Sequence, residues 1–231
     1  MSVEGFVLER IAAAAIAREP FGHLVVDRIF PQEFYEEILE HWPAPERFVG
    51  NQEAGRIAYA AERRVLNLDA EHLARLEPGQ AAFWKKEVCA WLRAGRVHEA
   101  LAAKLGAVGA AAGEGVDAVI VSDRTAYALG PHTDTPAKRV SLLFYLPEDA
   151  TFRRFGTSLY RPRDPQFRCA TGQHYEARYF ERVATIEFVP NRLLAFARSD
   201  RSFHGVEPVD LPGIERRLLL SSLRRLRRLR G

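Results

Sequence analysis

The chain has 231 residues, 47 % of them hydrophobic, with three Trp and 14 Phe, which is enough for a sizeable core. The net charge of +3 comes from seven arginines within residues 216–231; without them it is 3 − 7 = −4, so the body offers no basic face for nucleic acid. No apolar run reaches the roughly 20 residues of a membrane span, and Cys89 and Cys169 form no metal-type pair, so a reduced, cytoplasmic setting is expected.

The N-terminal stretch carries Glu4 and Glu9 where an export signal needs basic residues, so 3–18 reads as a helix stopped by Glu19-Pro20. A short strand follows at 21–29, and Pro31 opens a helix over 32–41 that ends before Pro43. Residues 44–77 are mixed and polar. Two amphipathic helices follow at 79–92 and 97–105, the first with Phe83, Val88 and Trp91 near one face. After Gly115 the period changes to that of strands, predicted at 116–121, 124–129, 139–146, 156–161, 183–189, 192–197, 205–209 and 216–223. Many short strands with Pro, Gly and Asp turns predict a jelly roll or barrel. Helices on one side of it make the class α+β. One domain is expected, with 1–115 a mainly helical lead-in, 116–223 the β-core and 224–231 an Arg-rich tail facing water. The polar, aromatic segment 161–182 reads as a long insertion of the kind that forms lids or binding loops.

The chemistry concentrates in three places. His132-Thr133-Asp134 follows the strand predicted to end at Leu129 and a Gly130-Pro131 turn; His204 lies between the strands at 192–197 and 205–209; Arg216 opens the last strand. Seven His and nine Asp in 231 residues give about 0.3 chance His-x-Asp pairs (7 × 9/231), so position must carry the weight. In extended chain, residues i and i+2 point the same way, so His132 and Asp134 can face one ion. Two imidazoles and one carboxylate hold Fe(II) on one octahedral face and leave three positions open. Arg216 and Arg217 point to opposite faces of a strand, so only one can enter the barrel. A guanidinium inside implies an anion beside it, and its planar fork suits a carboxylate.

The runs LGPHTDTPAKRVSLLFYLP, FARSDRSFHGVEPV and ERRLLLSSLRR together resemble the Fe(II)/2-oxoglutarate dioxygenases, in the branch that includes the prolyl 4-hydroxylases. The resemblance spans roughly residues 120–225, with a fainter match in PFGHLVVDRIFPQEFYEEIL. It implies a double-stranded β-helix with His132, Asp134 and His204 as Fe(II) ligands. It also implies Arg216 as the anchor for the distal carboxylate of 2-oxoglutarate, with Arg217 the alternative, and Tyr145 as a second contact to that carboxylate. The loop Ser199-Asp200-Arg201 would fix His204. O2 would be the co-substrate, with ascorbate a reductant. The implied reaction hydroxylates a C–H bond of a small polar metabolite or an amino-acid or peptide-like substrate, releasing succinate and CO2. The carboxylate of Asp134 stands where halogenating relatives have a small residue. Substrate-facing candidates are Tyr127, Thr157, Arg161, His174 and Tyr175. The rival reading is a non-catalytic cupin or jelly-roll module binding metal or sugar, which has no use for an interior Arg at position 216.

Overall fold

The structure, a computed structural model, describes residues 1–56, 62–107 and 113–225. Ser2 caps the first helix, α1 (Val3–Ala13), by accepting from the Gly5 amide. This helix stops short of the predicted 18 because Ala14 turns extended and Ala17 pairs with His23 at the start of β1 (His23–Asp27). The helix α2 (Gln32–Glu40) follows Pro31 as predicted. The polar stretch 44–77 contains two strands that its composition concealed, β2 (Val49–Gly50) and β3 (Arg63–Asn67), and the short helix α3 (Ala70–Leu73) capped by Asp69. The helical turns α4 (Pro78–Phe83) and α5 (Cys89–Arg93) join through a π-helical turn, and α6 (Arg96–Lys104) follows Gly95, whose φ of 77° suits glycine.

The β-rich half comprises β4 (Glu114–Arg124), β5 (Leu129–His132), β6 (Lys138–Tyr145), β7 (Thr157–Pro162), β8 (Phe180–Ile186), β9 (Arg192–Ala197), β10 (His204–Val206) and β11 (Glu215–Arg225). They form a seven-stranded antiparallel sheet, β1-β9-β6-β11-β4-β3-β2, facing a four-stranded one, β5-β10-β7-β8: a jelly roll, with the helices on one side. The predicted strand at 124–129 is instead a turn, since β4 runs on to Arg124 and Ala126 takes a φ of 72° to reverse the chain. The tail residues 226–231 lie outside the described residues. No helix among the described residues is long and apolar enough to cross a membrane.

Alternation along the large sheet separates two cores. Ala118, Ile120, Leu142, Phe144, Leu193, Ala195 and Leu219 pack on the helices, against Val7, Ile38, Trp84, Leu92 and Leu101. Val119, Val121, Tyr145, Leu194, Phe196 and Leu218 point the other way, toward Leu159 and Phe188 between the two sheets. Arg216 shares the parity of Leu218 on β11 and therefore enters this inner space, fully buried. Arg217 points outward, over the Trp42 ring and onto Glu148 and Glu215.

Candidate metal and co-substrate site

His132 ends β5 and His204 opens β10, and the two strands pair with these residues directly opposite each other. His204 is thus a strand residue, not the loop residue expected. The close approach depends on Gly205, where a Cβ would lie 2.4 Å from the Leu129 carbonyl oxygen. Asp134 lies two residues beyond β5. The ligand atoms of His132, Asp134 and His204 all fall within 4.8 Å of one another, and all three side chains are buried.

The hydrogen bonds orient these groups for a cation. His132 Nδ1 meets the Gly130 carbonyl at 3.0 Å and His204 Nδ1 meets the Ser202 carbonyl at 3.0 Å. A carbonyl only accepts, so each Nδ1 carries the proton and each Nε2 keeps its lone pair for the centre. Burial, together with the repulsion of His204 and His174, holds His132 well below the usual histidine range; burial does the same for His204. Burial alone would raise Asp134, but the Lys138 ammonium bonded to it outweighs burial and keeps the carboxyl ionised. Lys138 Nζ donates to Asp134 Oδ1 and Ser141 Oγ to Oδ2, each at 2.6 Å.

Deeper on the same inner face, Arg216 Nη1 donates to Asp123 Oδ2 (2.7 Å) and Nε to the Phe155 carbonyl (2.5 Å). Asp123 also receives the fork of Arg63, Nε to Oδ1 at 2.6 Å and Nη2 to Oδ2 at 2.8 Å. Two guanidiniums share one carboxylate, and all three groups are buried. The triad carries one positive charge in excess, and Arg216 Nη2 has no hydrogen-bond partner among the described residues. A buried guanidinium nitrogen without a partner is costly, and an anion beside Arg216 would compensate it. Tyr145 OH donates to Thr157 Oγ1 at 2.7 Å from the facing sheet; burial pushes the phenol up, leaving it protonated. Arg63 and Asp123 were not anticipated. The signal for Asp123 was its alternation with Val119 and Val121, which places an acid on an apolar inner face. The polar context of 44–77 hid Arg63.

The remaining candidates separate. His174 lies at the His132–Asp134–His204 cluster, bridged in backbone to His132 and stacked on its ring at 4.4 Å. Tyr175 donates its amide to the Pro131 carbonyl and turns its ring into a cluster with Phe167, Phe180 and Phe203, so it buttresses β5. Thr157 faces inward, on Tyr145. Tyr127 is not on a strand near the metal: it sits in the turn before β5, with Arg63 over its ring at 4.6 Å. Arg161 shares the parity of Thr157 and Leu159 on β7 and, partly exposed, pairs with Glu19 and Glu181. The insertion itself is stitched to the His132–Asp134 segment: Thr133 Oγ1 donates to the Cys169 carbonyl, and Arg198 bonds the carbonyls of both Asp134 and Ala170. The loop before His204 closes on itself, with Ser202 Oγ donating to the Ser199 carbonyl.

No family model matches the chain, and no curated protein matches it in sequence. Solved structures do match over nearly its whole length. A Pseudomonas putida prolyl-4-hydroxylase superposes with a TM-score of 0.51 at 16 % identity, covering 97 % of this chain and 99 % of that one. The non-heme alpha ketoglutarate dependent carbocyclase SnoK from nogalamycin biosynthesis gives 0.56 at 11 % identity over 97 % and 86 %. The epimerase SnoN, from the same biosynthesis and likewise alpha ketoglutarate dependent, gives 0.51 at 12 % over 94 % and 81 %. The expected likeness to prolyl hydroxylases therefore holds at the level of fold, and the chain has the jelly-roll architecture of these oxygenases.

Proposed function

We propose that the chain is an Fe(II)- and 2-oxoglutarate-dependent oxygenase. The observation that carries this reading is the fully buried Arg216 guanidinium, its Nη2 without a hydrogen-bond partner among the described residues, on the same inner face as a His-Asp-His cluster. A metal- or sugar-binding jelly roll gives a buried, undercompensated guanidinium no role. A diacid that chelates the metal at one end and needs a cation at the other does.

His132 Nε2, His204 Nε2 and one oxygen of Asp134 would hold Fe(II), and Ser141 fixes the rotamer of that carboxylate. Arg216 Nη2 would donate to the distal carboxylate of 2-oxoglutarate, assisted by the Thr157 hydroxyl, which accepts from Tyr145. Bound iron, 2-oxoglutarate and O2 together supply the oxidising chemistry, with succinate and CO2 as by-products. The chain orients the reactants and excludes water through Leu194, Phe196, Leu218 and Phe188, which wall the space between the sheets. His174 sits where an incoming substrate would touch the metal centre. Hydroxylation of an unactivated C–H in a small polar or amino-acid-like molecule is the outcome we favour, because Asp134 keeps a carboxylate in the third ligand position. Ascorbate as reductant and a cytoplasmic setting accompany this reading. Anaerobic addition of Fe(II) and 2-oxoglutarate should give the weak visible charge-transfer band of the chelate, and His132→Ala should abolish it. A colourless mixture with no affinity for the keto acid would reject the assignment.

A further inference from the structure

Beyond the metal centre, the inner face of the large sheet continues to its rim and becomes strongly charged. Register carries it there: Ser141 on β6, which holds Asp134, lies opposite Ser222 on β11, and Ser222 lies opposite Asp117 on β4. Two strand spacings, about 10 Å, therefore separate Ser141, which holds Asp134, from Asp117. Beside Asp117 opens a cleft of about 300 Å³ whose charged lining is Arg56, Arg93, Arg224, Asp69 and Asp117.

Three arginines against two aspartates leave one positive charge in excess (3 − 2), and the carboxylates are already engaged. Asp117 takes Arg56 Nη1 and Nη2 at 3.2 and 3.0 Å and Arg224 Nη1 at 3.4 Å. Asp69 caps α3 and bonds His72. Arg93 spends one hydrogen bond on the Leu68 carbonyl, which leaves most of its five N–H donors for a ligand. Burial would raise Asp117, but Arg56, Arg224 and Lys138 outweigh it, so its carboxylate stays charged and the count of one excess positive charge holds. Lys138, bonded to Asp134, links the two places.

We propose that this cleft is the substrate's anion subsite: the guanidiniums of Arg93, Arg224 and Arg56 receive a carboxylate or phosphate at one end of a molecule whose other end is oxidised at the His132–Asp134–His204 centre. The inference rests on the oxygenase reading and adds a substrate class to it: a carboxylic or phosphoric acid long enough to span the two places.

The test titrates the full chain with inorganic phosphate and, separately, with acetate by calorimetry, for the native protein and for Arg93→Gln and Arg224→Gln. Saturable binding of at least one anion, weakened about tenfold in each variant, is the expected result. Preference for phosphate would identify a phosphorylated substrate, and preference for acetate a carboxylic acid. Anion binding that is undetectable, or equal in all three proteins, overturns the proposal. The Fe(II)–2-oxoglutarate band, recorded on the same samples, keeps the two claims apart. A band without cleft binding sinks the subsite alone. Cleft binding without a band sinks the oxygenase reading, and with it the role of the anion as part of an oxidised substrate.

Discussion

Replacing Arg216 by Met tests the buried triad in a way that a purely structural arginine would fail. Arg216 is fully buried and makes two short hydrogen bonds, so removing it looks severe. Each such bond to or from a charged group contributes about 1.5–3 kcal/mol. Against that stand the several kcal/mol spent on desolvating a cation and its repulsion by Arg63, which shares Asp123. In Arg216→Met, Arg63 and Asp123 remain as a neutral forked pair, and Met fills much of the volume. The free protein should therefore stay within about 2 kcal/mol of native, a melting shift of at most about 4–8 °C for a chain of this size. Asp123→Asn does the reverse: it strands two guanidiniums and should cost about 3–5 kcal/mol, a drop on the order of 10 °C. Function separates the variants further. The lost carboxylate contact should weaken 2-oxoglutarate by about 3 kcal/mol, on the order of 100-fold, in Arg216→Met. The native protein should gain about 2.7 kcal/mol of stability when the diacid is present at 100 times its Kd. Thermal denaturation with and without 2-oxoglutarate, in the presence of Fe(II) under anaerobic conditions, reads all of this. If Arg216→Met melts as low as Asp123→Asn while still gaining stability from the diacid, the charge argument is wrong.

Three further expectations follow from the geometry. Gly205→Ala forces a methyl within 2.4 Å of the Leu129 carbonyl, so it should part β5 from β10 and lower Fe(II) affinity at least tenfold in a dialysis measurement; native affinity would contradict the pairing. Lys138→Met removes the ammonium that competes for Asp134 Oδ1, and should tighten divalent-ion binding several-fold; weaker binding would mean that Lys138 serves the site only by orienting the carboxylate. His98 is fully buried on α6 against Ser221 Oγ, and desolvation lowers it to about 4 from 6.5. The folded state thus binds fewer protons than the unfolded one, so stability is full above pH 6.5 and falls as pH drops toward 4, by about 3 kcal/mol in all. Urea denaturation of His98→Gln should show a flatter profile across that window, and an equal slope in both proteins would place the acid sensitivity elsewhere.

The site was legible where chemistry and alternation coincide. The i, i+2 spacing of His132 and Asp134, and the opposed parity of Arg216 and Arg217, both follow from the two-residue period of a strand, and the structure realises each in space. Boundaries were less legible, because pairing decides them. Ala126 reverses the chain with a positive φ that nothing in Arg124–Leu129 announces, and His204 joins a strand because β5 is there to receive it. The partners of Arg216 were the least visible. Arg63 comes from a five-residue strand inside a polar stretch, 153 positions away, and only folding places it on Asp123. The insertion, read as a lid or binding loop, is braced on the His132–Asp134 segment by hydrogen bonds from Thr133 and Arg198 to its backbone carbonyls, and it carries His174 onto the His132 ring.

The central claim is that His132, Asp134 and His204 close on one ferrous ion, with Arg216 reserved for the diacid behind it. Anaerobic equilibrium dialysis against Fe(II), followed by 2-oxoglutarate, measures both halves on the same samples. The account predicts one Fe(II) per native chain, almost none in His204→Ala, and a full complement in Arg216→Met that fails to take up 2-oxoglutarate. Iron retained by His204→Ala at native affinity, or 2-oxoglutarate bound equally by native protein and Arg216→Met, would contradict it.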